Sequence, residues 1–176
     1  MKQSIALLSC CAPCSAGIIR KLHSEGADFC VLFMNPNIYP AAEYEKRLAE
    51  QKRLCDELGV RLNVGEYGHD EWLAAVRGLE NGPERGPRCS ECFKFRFRMA
   101  AKWARENGCE AVASTFGVSR HKSQAQVDAA AASALPKSLK YINIVIPRLD
   151  RGISSEFYRQ KYCGCEFSAT YRNIKD

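Results

Sequence analysis

No stretch of the 176-residue chain approaches the ~18 consecutive apolar residues that a membrane-crossing helix needs, so no membrane partner is expected. A secretion leader is not expected either. Leu7-Leu8-Ser9-Cys10 imitates the end of a lipoprotein signal, but the apolar run Ile5–Leu8 is much shorter than the about 7–15 residues of a signal core. Linkers and internal repeats are also missing, so residues 1–176 read as a single catalytic domain. A chain of this size buries a substantial core without covalent help, which removes the usual reason for disulfides.

What the chain has in excess is cysteine. Ten are present, and they gather in tight clusters instead of being spread as a disulfide framework would be. Clustered thiols point to chemistry, and thiolates stay free to bind metal in a reducing compartment, so the expected home is cytoplasmic. A formal charge of +6 and a pI near 8.8 favour an anionic partner such as nucleic acid.

Apolar runs bounded by turn signals alternate with amphipathic segments, the pattern of an α/β domain with a mainly parallel sheet flanked by helices. Strands are expected at Ser4–Ser9, Asp28–Asn35, Arg61–Gly65, Ala111–Thr115 and Tyr141–Ile146, the last closed by Pro147. Helices are expected at Ser15–Glu25, Ala41–Leu58, Asp70–Leu79, Cys89–Asn107 and Ser123–Ala134, with a short one at Ser154–Tyr162. Gly26, Gly59 and Gly108 stand where helices would stop. The two glycines and two prolines of Glu80–Arg88 read as a loop. Cys10 then lies at the carboxyl end of the first strand, the edge where open α/β sheets bind ligands.

Three cysteine motifs follow. Cys11 and Cys14 form a C-x-x-C opening a helix, whose dipole favours thiolates. Taken alone this is the mark of a thioredoxin-like thiol oxidoreductase. Cys89 and Cys92 stand at i and i+3 on one face of a helix's first turn, a spacing that chelates metal. In Cys163-Gly164-Cys165 an extended stretch would send both sulfurs to one side, with Gly164 allowing close backbone approach to a cofactor. Cys30, Cys55 and Cys109 stand singly among structural residues and read as packing. A zinc site uses four ligands and leaves seven cysteines unexplained, whereas an iron–sulfur cluster with spare thiols beside it accounts for them. Zinc is retained in one rival reading, a zinc-stabilised RNA-binding module without catalysis.

With their neighbours these motifs resemble a known family, the cobalamin-independent epoxyqueuosine reductases called QueH. The residues that carry the resemblance begin with Cys10-Cys11-Ala12-Pro13, then Asn35-Pro36-Asn37-Ile38-Tyr39-Pro40 with Glu43, Tyr44 and Arg47. Arg88-Cys89 with Cys92, and Ser114-Thr115 with Ser119 and Lys122, follow in order. Tyr158-Arg159-Gln160-Lys161-Tyr162-Cys163-Gly164-Cys165 with Ser168 completes the set. The resemblance implies a fold similar to the adenine-nucleotide alpha hydrolases and PP-loop enzymes (HUP-like), with the Cys10 loop where those carry a phosphate-binding loop. It implies reduction of epoxyqueuosine in the tRNA anticodon wobble position to queuosine, the last step of queuosine biosynthesis, with electrons from a donor the sequence does not identify. It also implies a [4Fe-4S] cluster held by Cys10, Cys89, Cys92 and one of the last pair, taken as Cys163. An adjacent mononuclear iron would be held by Cys11, Cys14 and Cys165. Some members carry Asp where Cys14 stands, so this chain would give that iron a softer shell.

Converting an epoxide to an alkene takes two electrons and two protons, while an iron–sulfur cluster passes electrons singly, so a second redox site is useful. Tyr162, Glu43 and His121 are the candidate proton donors. Arg47, Arg120, Lys122, Arg159 and Lys161, with Arg96, Arg98, Arg148 and Arg151, are candidates for contacting tRNA, and Tyr39 for stacking a splayed base. The run Phe93-Lys94-Phe95-Arg96-Phe97-Arg98 alternates aromatic and basic residues as a nucleic-acid strand would, but it falls on an expected helix, so some of its rings should enter the core.

Overall fold

The chain is described by a computed structural model over residues 4–146 and 156–168. Ile5-Ala6-Leu7-Leu8 is apolar without alternation, which suits a strand covered on both faces, and it forms the centre of the sheet. Five parallel strands, β1 (Ser4–Leu8), β2 (Asp28–Phe33), β3 (Leu62–Val64), β4 (Ala111–Ser114) and β5 (Lys140–Ile142), lie in the order β3-β2-β1-β4-β5. Helices α1 (Ala12–Ser24), α2 (Ala41–Leu58), α3 (His69–Ala75), α4 (Pro87–Glu106) and α5 (Gln124–Ala134) connect them. Leu7, Val31 and Ala113 face a core completed by Ile18 and Ile19 of α1 and Leu54 of α2. Leu8, Leu32 and Val112 face the opposite core, completed by Phe97 and Ala100 of α4 and Val127 of α5. Cys30, Cys55 and Cys109 are buried in these two cores, as packing residues would be.

Several boundaries differ from the expectation for local reasons. α1 begins at Ala12, not Ser15, and α4 at Pro87, not Cys89. Each has a proline in its first turn, where a fixed φ and a missing N–H cost nothing. The first-turn positions therefore include Cys14 and Cys89. The strand expected to run to Ile146 pairs only through Ile142, and α3 stops at Ala75, short of Gly78 with its positive φ. Gly26, Gly59 and Gly108 have φ of 60°, 63° and 68° and follow their helices as expected. The helix expected over Ser154–Tyr162 does not form in its described part, residues 156–162, which is bends and irregular backbone. Pro147, Arg148, Arg151 and Ser154 lie outside the described residues.

From β1 the chain builds outward through β2 and β3, then returns to build β4 and β5 on the other side. The crevice between the carboxyl ends of β1 and β4 is thus the topological switch point. The Cys10 loop leaves β1 there, and Thr115 leaves β4 beside it, with Cys10 Sγ 3.9 Å from Thr115 Oγ1.

Residues 156–168 contain no helix or strand, and side chains of α2, Arg47 above all, tie them to the rest of the fold. Arg47, 2% exposed, pairs with Glu43 at 2.8 Å and donates to the carbonyls of Cys163 at 3.2 Å and Tyr162 at 3.1 Å. The structure therefore corrects Arg47 from a surface contact for tRNA to an internal fastening, because its donors are spent inside the protein. Gly164 has φ of +112° and turns the backbone, so the extended stretch expected there is a bend. A Cβ at Gly164 would stand 2.9 Å from Ile38 and 3.2 Å from Arg47, so its close approach is to the protein's own side chains. Arg47→Met should lower the unfolding free energy by about 3–5 kcal/mol, since Glu43 would be left buried and unpaired. Adding Glu43→Gln should recover part of that loss; equal urea midpoints for the single variant and the parent would contradict this role for Arg47.

Candidate metal centre

The first cluster is tight. The Sγ atoms of Cys10, Cys11 and Cys14 lie within 4.8 Å of one another, and those of Cys10 and Cys11 are 3.7 Å apart. Thiolates arranged tetrahedrally at the usual metal–sulfur distance of about 2.3 Å stand about 3.8 Å apart. The triad thus has the spacing of ligands to a single ion. It forms because Cys11 is the N-cap of α1 and Cys14 falls in its first turn, with the amides of Cys14 and Ser15 donating back to the Cys11 carbonyl at 3.2 and 3.1 Å. Behind it, Gln51 accepts from the hydroxyls of Ser9 at 2.6 Å and Ser15 at 3.0 Å, which holds the loop to α2.

The second group is wider. Cys89 and Cys92 from the start of α4 and Cys163 and Cys165 from the C-terminal segment line one pocket, together with Asn37, Trp72, Arg88, Arg96, His121, Lys122 and Gln126. Among the described residues these four thiols do not make a group as close as the triad. All ten cysteines are free. Four thiols around a pocket suit a cluster larger than one ion, and thiolates are the ligands that iron–sulfur clusters take. Arg88, also buried, stitches the preceding loop by donating to the carbonyls of Glu80 and Gly82.

The two groups are neighbours, and Lys122 faces both. Burial works against charge on its ammonium, but Cys10, Cys14 and Cys163 outweigh that and hold its pKa above the usual range. Hydrogen bonds from Cys11 and Cys14 hold the Cys10 thiol well below its usual range, with Lys122 and Arg96 adding to the effect. Burial pushes Cys11 up to about 12, and hydrogen bonding to Cys10 and Cys11 raises Cys14. Cys163 is brought down to about 6, chiefly by its hydrogen bond from Cys165. Burial raises both Cys89 and Cys92. Thiol–disulfide exchange needs an accessible thiolate of low pKa. Cys11 and Cys14, 1% and 6% exposed and both raised, are poorly suited to the thioredoxin-like role.

The other expected site residues separate clearly. His121 lines the pocket, half-buried, and burial followed by Lys122 and Arg120 lowers its pKa. Tyr162 is buried, and its hydroxyl donates to the Tyr39 carbonyl. Glu43 has one oxygen on Arg47 and the other on the Tyr158 hydroxyl. Arg120, Arg159 and Lys161 are exposed. Of the run Phe93–Arg98, Phe93, Arg96 and Phe97 are buried and Arg98 is exposed. Gln160 was missed as a site residue by sequence reasoning: its Nε2 donates to Cys11 Sγ at 2.8 Å and lies 3.6 Å from Cys14 Sγ. Its place among the matching residues beside Cys163 was the available signal.

A family model described as "Epoxyqueuosine reductase QueH" matches residues 5–171. Proteins named epoxyqueuosine reductase QueH are similar to the chain across its length. The one from Acinetobacter baylyi is 37% identical over 93% of this chain and 79% of its own. The corresponding figures are 35%, 93% and 71% for Histophilus somni, and 31%, 94% and 90% for Thermotoga maritima. Among solved structures, the U34-tRNA thiolase NcsA from Methanococcus maripaludis, with its [4Fe-4S] cluster, superposes with a TM-score of 0.62 at 14% identity. That match covers 98% of this chain and 64% of the thiolase, and the likeness is one of fold.

The spread of thiol pKa values is testable in reduced, metal-free protein. At pH 7 iodoacetamide should alkylate Cys163 before Cys11 and Cys14, and the Cys163 rate should fall as the pH drops through about 6, where its thiolate is lost. Peptide mass spectrometry gives the order; equal labelling of Cys11 and Cys163 would contradict it.

Proposed function

The chain belongs to the epoxyqueuosine reductase QueH family, and we propose that it reduces epoxyqueuosine at the wobble position of a tRNA anticodon to queuosine. The observation that carries this reading is the gathering of seven free thiols from three remote segments at the switch point of the sheet. Cys89, Cys92, Cys163 and Cys165 would hold a [4Fe-4S] cluster, and Cys10, Cys11 and Cys14 a single iron. Relative to the division implied by resemblance, Cys10 moves to the iron and Cys165 to the cluster, because sulfur spacing separates the tight triad from the wider pocket. Bound there, a cluster supplies electrons one at a time and a thiolate-held iron supplies a Lewis acid.

The chain's own residues supply binding and protons. The epoxide oxygen leaves as water and needs two protons. His121, Lys122 and Glu84 are side chains lining the pocket that can carry a proton, whereas Tyr162 and Glu43 are committed to internal partners. Lys122 keeps its ammonium charged beside the sulfurs, which makes it a weak acid but leaves it a proton that a strongly basic departing oxygen can take and a charge that stabilises that oxygen. Asn37 Oδ1 and Gln126 Oε1 are buried acceptors in the pocket region without a partner among the described residues, suited to hydroxyl or amine donors of the modified base. Exposed Arg85, Arg120, Arg159 and Lys161 would take the phosphates around the anticodon.

Protein reconstituted with iron and sulfide under anaerobic conditions should be brown and, with a chemical reductant, should convert epoxyqueuosine-containing tRNA to queuosine, read by nucleoside mass spectrometry. Cys89→Ala should lower the rate by at least about 100-fold, more than the loss typical of residues beside a metal site. Full activity from colourless, zinc-loaded protein would sink this reading; colourless, zinc-loaded protein that binds the tRNA without converting it would favour a zinc-stabilised module.

A further inference from the structure

Arg96 sits in the middle of α4 with 0% exposure, yet no carboxylate pairs with it among the described residues. Its Nε donates to the Met34 carbonyl at 3.1 Å and its Nη2 to the Asn35 side-chain oxygen. The guanidinium lies 3.9 Å from the centre of the Phe116 ring. Each of these partners is neutral, and a buried charge is costly unless an anion answers it. The remaining nitrogen, Nη1, is buried without a partner among the described residues, and Arg96 lines the same pocket as Cys92.

Trp72 repeats the pattern from the facing wall. It is fully buried, its indole N–H also lacks a partner among the described residues, and it packs with Cys92 and Cys165. Its ring is held in place: His69 stacks on one neighbour side at 5.5 Å and 22°, and Phe167 at 6.0 Å and 18°. His69 is itself fixed by the Pro36 carbonyl at 2.6 Å and the Glu166 carboxylate at 3.0 Å. Cys92 is the side chain next to both donors: Trp72 packs against it, and Arg96 follows it by one turn of α4. Two buried donors from α3 and α4, one of them a full cation, thus converge on one cysteine and lack the anion that would satisfy them.

We infer that Trp72 and Arg96 are positioning residues for the iron–sulfur cluster proposed above, donating N–H hydrogen bonds to the sulfur of Cys92 and thereby making the cluster easier to reduce. The inference rests on that reading of the four-cysteine pocket. Donors aimed at a ligand sulfur, and a buried positive charge beside it, stabilise the extra negative charge of the reduced state and raise the potential. Neither residue gains or loses an electron or a proton in this role. Arg96 also answers its own burial, since the thiolates supply the missing counter-charge.

The test uses full-length protein reconstituted anaerobically and reduced stepwise with dithionite, following the reduced cluster by electron paramagnetic resonance. Trp72→Phe keeps the ring and removes only the donor; it should make reduction up to about tenfold less favourable, a shift of about 59 mV to more negative potential for a one-electron couple. Arg96→Lys, which keeps the charge but not the fork, should shift it in the same direction. Wild-type protein labelled with 15N in the tryptophan indole needs no substitution, and its reduced cluster should show a 15N coupling in pulsed experiments that Trp72→Phe abolishes. A cluster with no 15N coupling in the wild type, or with an unmoved potential in Trp72→Phe, overturns this inference alone. Failure of the wild type to assemble any cluster overturns the functional reading with it.

Discussion

The buried guanidinium of Arg47 is the constraint on which the cysteine-bearing end of the molecule depends. Residues 156–168 have no secondary structure, so the backbone ladder that orders the rest of the fold cannot place Cys163 and Cys165. Placement comes from isolated contacts instead: Arg47 on two consecutive carbonyls, Gln160 on Cys11, Tyr158 on Glu43, and one backbone bond from the Tyr39 amide to the Gly164 carbonyl at 2.8 Å. A buried ion pair is a weak source of stability, because desolvation consumes most of its attraction. The Arg47–Glu43 pair is better understood as positional. Its Glu43 end orients the fork, and the fork fixes the register of the segment that carries two of the seven thiols.

Charge compensation is the second theme of that end. Burial alone raises thiol pKa values and would keep these cysteines protonated and slow to take metal. Hydrogen bonds between neighbouring thiols, helped by Lys122 and at Cys10 also by Arg96, work against it, and the result is uneven: Cys10 and Cys163 are depressed while Cys11, Cys14, Cys89, Cys92 and Cys165 are raised. Each group therefore holds one thiol readily ionised and others that give up their protons only as metal arrives. Metal affinity on such ligands weakens in acid, because protons compete for the sulfurs.

Much of this was legible in the sequence, and the failures share a cause. Unbroken apolar runs such as Ile5–Leu8 and Val31–Phe33 identified parallel strands covered on both faces, and Gly26, Gly59 and Gly108 marked helix ends through their left-handed backbone. The i, i+3 spacing of Cys89 and Cys92 carried directly into the pocket. Residues whose role depends on a distant partner were read less well. Arg47 and Arg96 are cations in basic stretches and were expected at the surface, but each spends its donors on segments remote in sequence. Gly164 was assigned to a cofactor and instead admits Ile38 and Arg47. The grouping of sulfurs into a tight triad and a wider pocket is tertiary geometry that spacing along the chain does not encode.

The location of the site follows from the same features that make helix N-termini anion sites. α1 and α4 both open with a proline in the first turn and, among the described residues, neither has a side-chain cap, so the positive dipole ends of two helices stand in the turns that carry Cys14 and Cys89. In an open parallel sheet this is the position at which a phosphate would be received. A thiolate is an anion of similar demand, so cysteines placed at such an edge use the same electrostatics to hold something other than a phosphate. The same sheet edge can thus serve nucleotide chemistry in one protein and metal chemistry in another, and function is decided by the side chains grafted onto it.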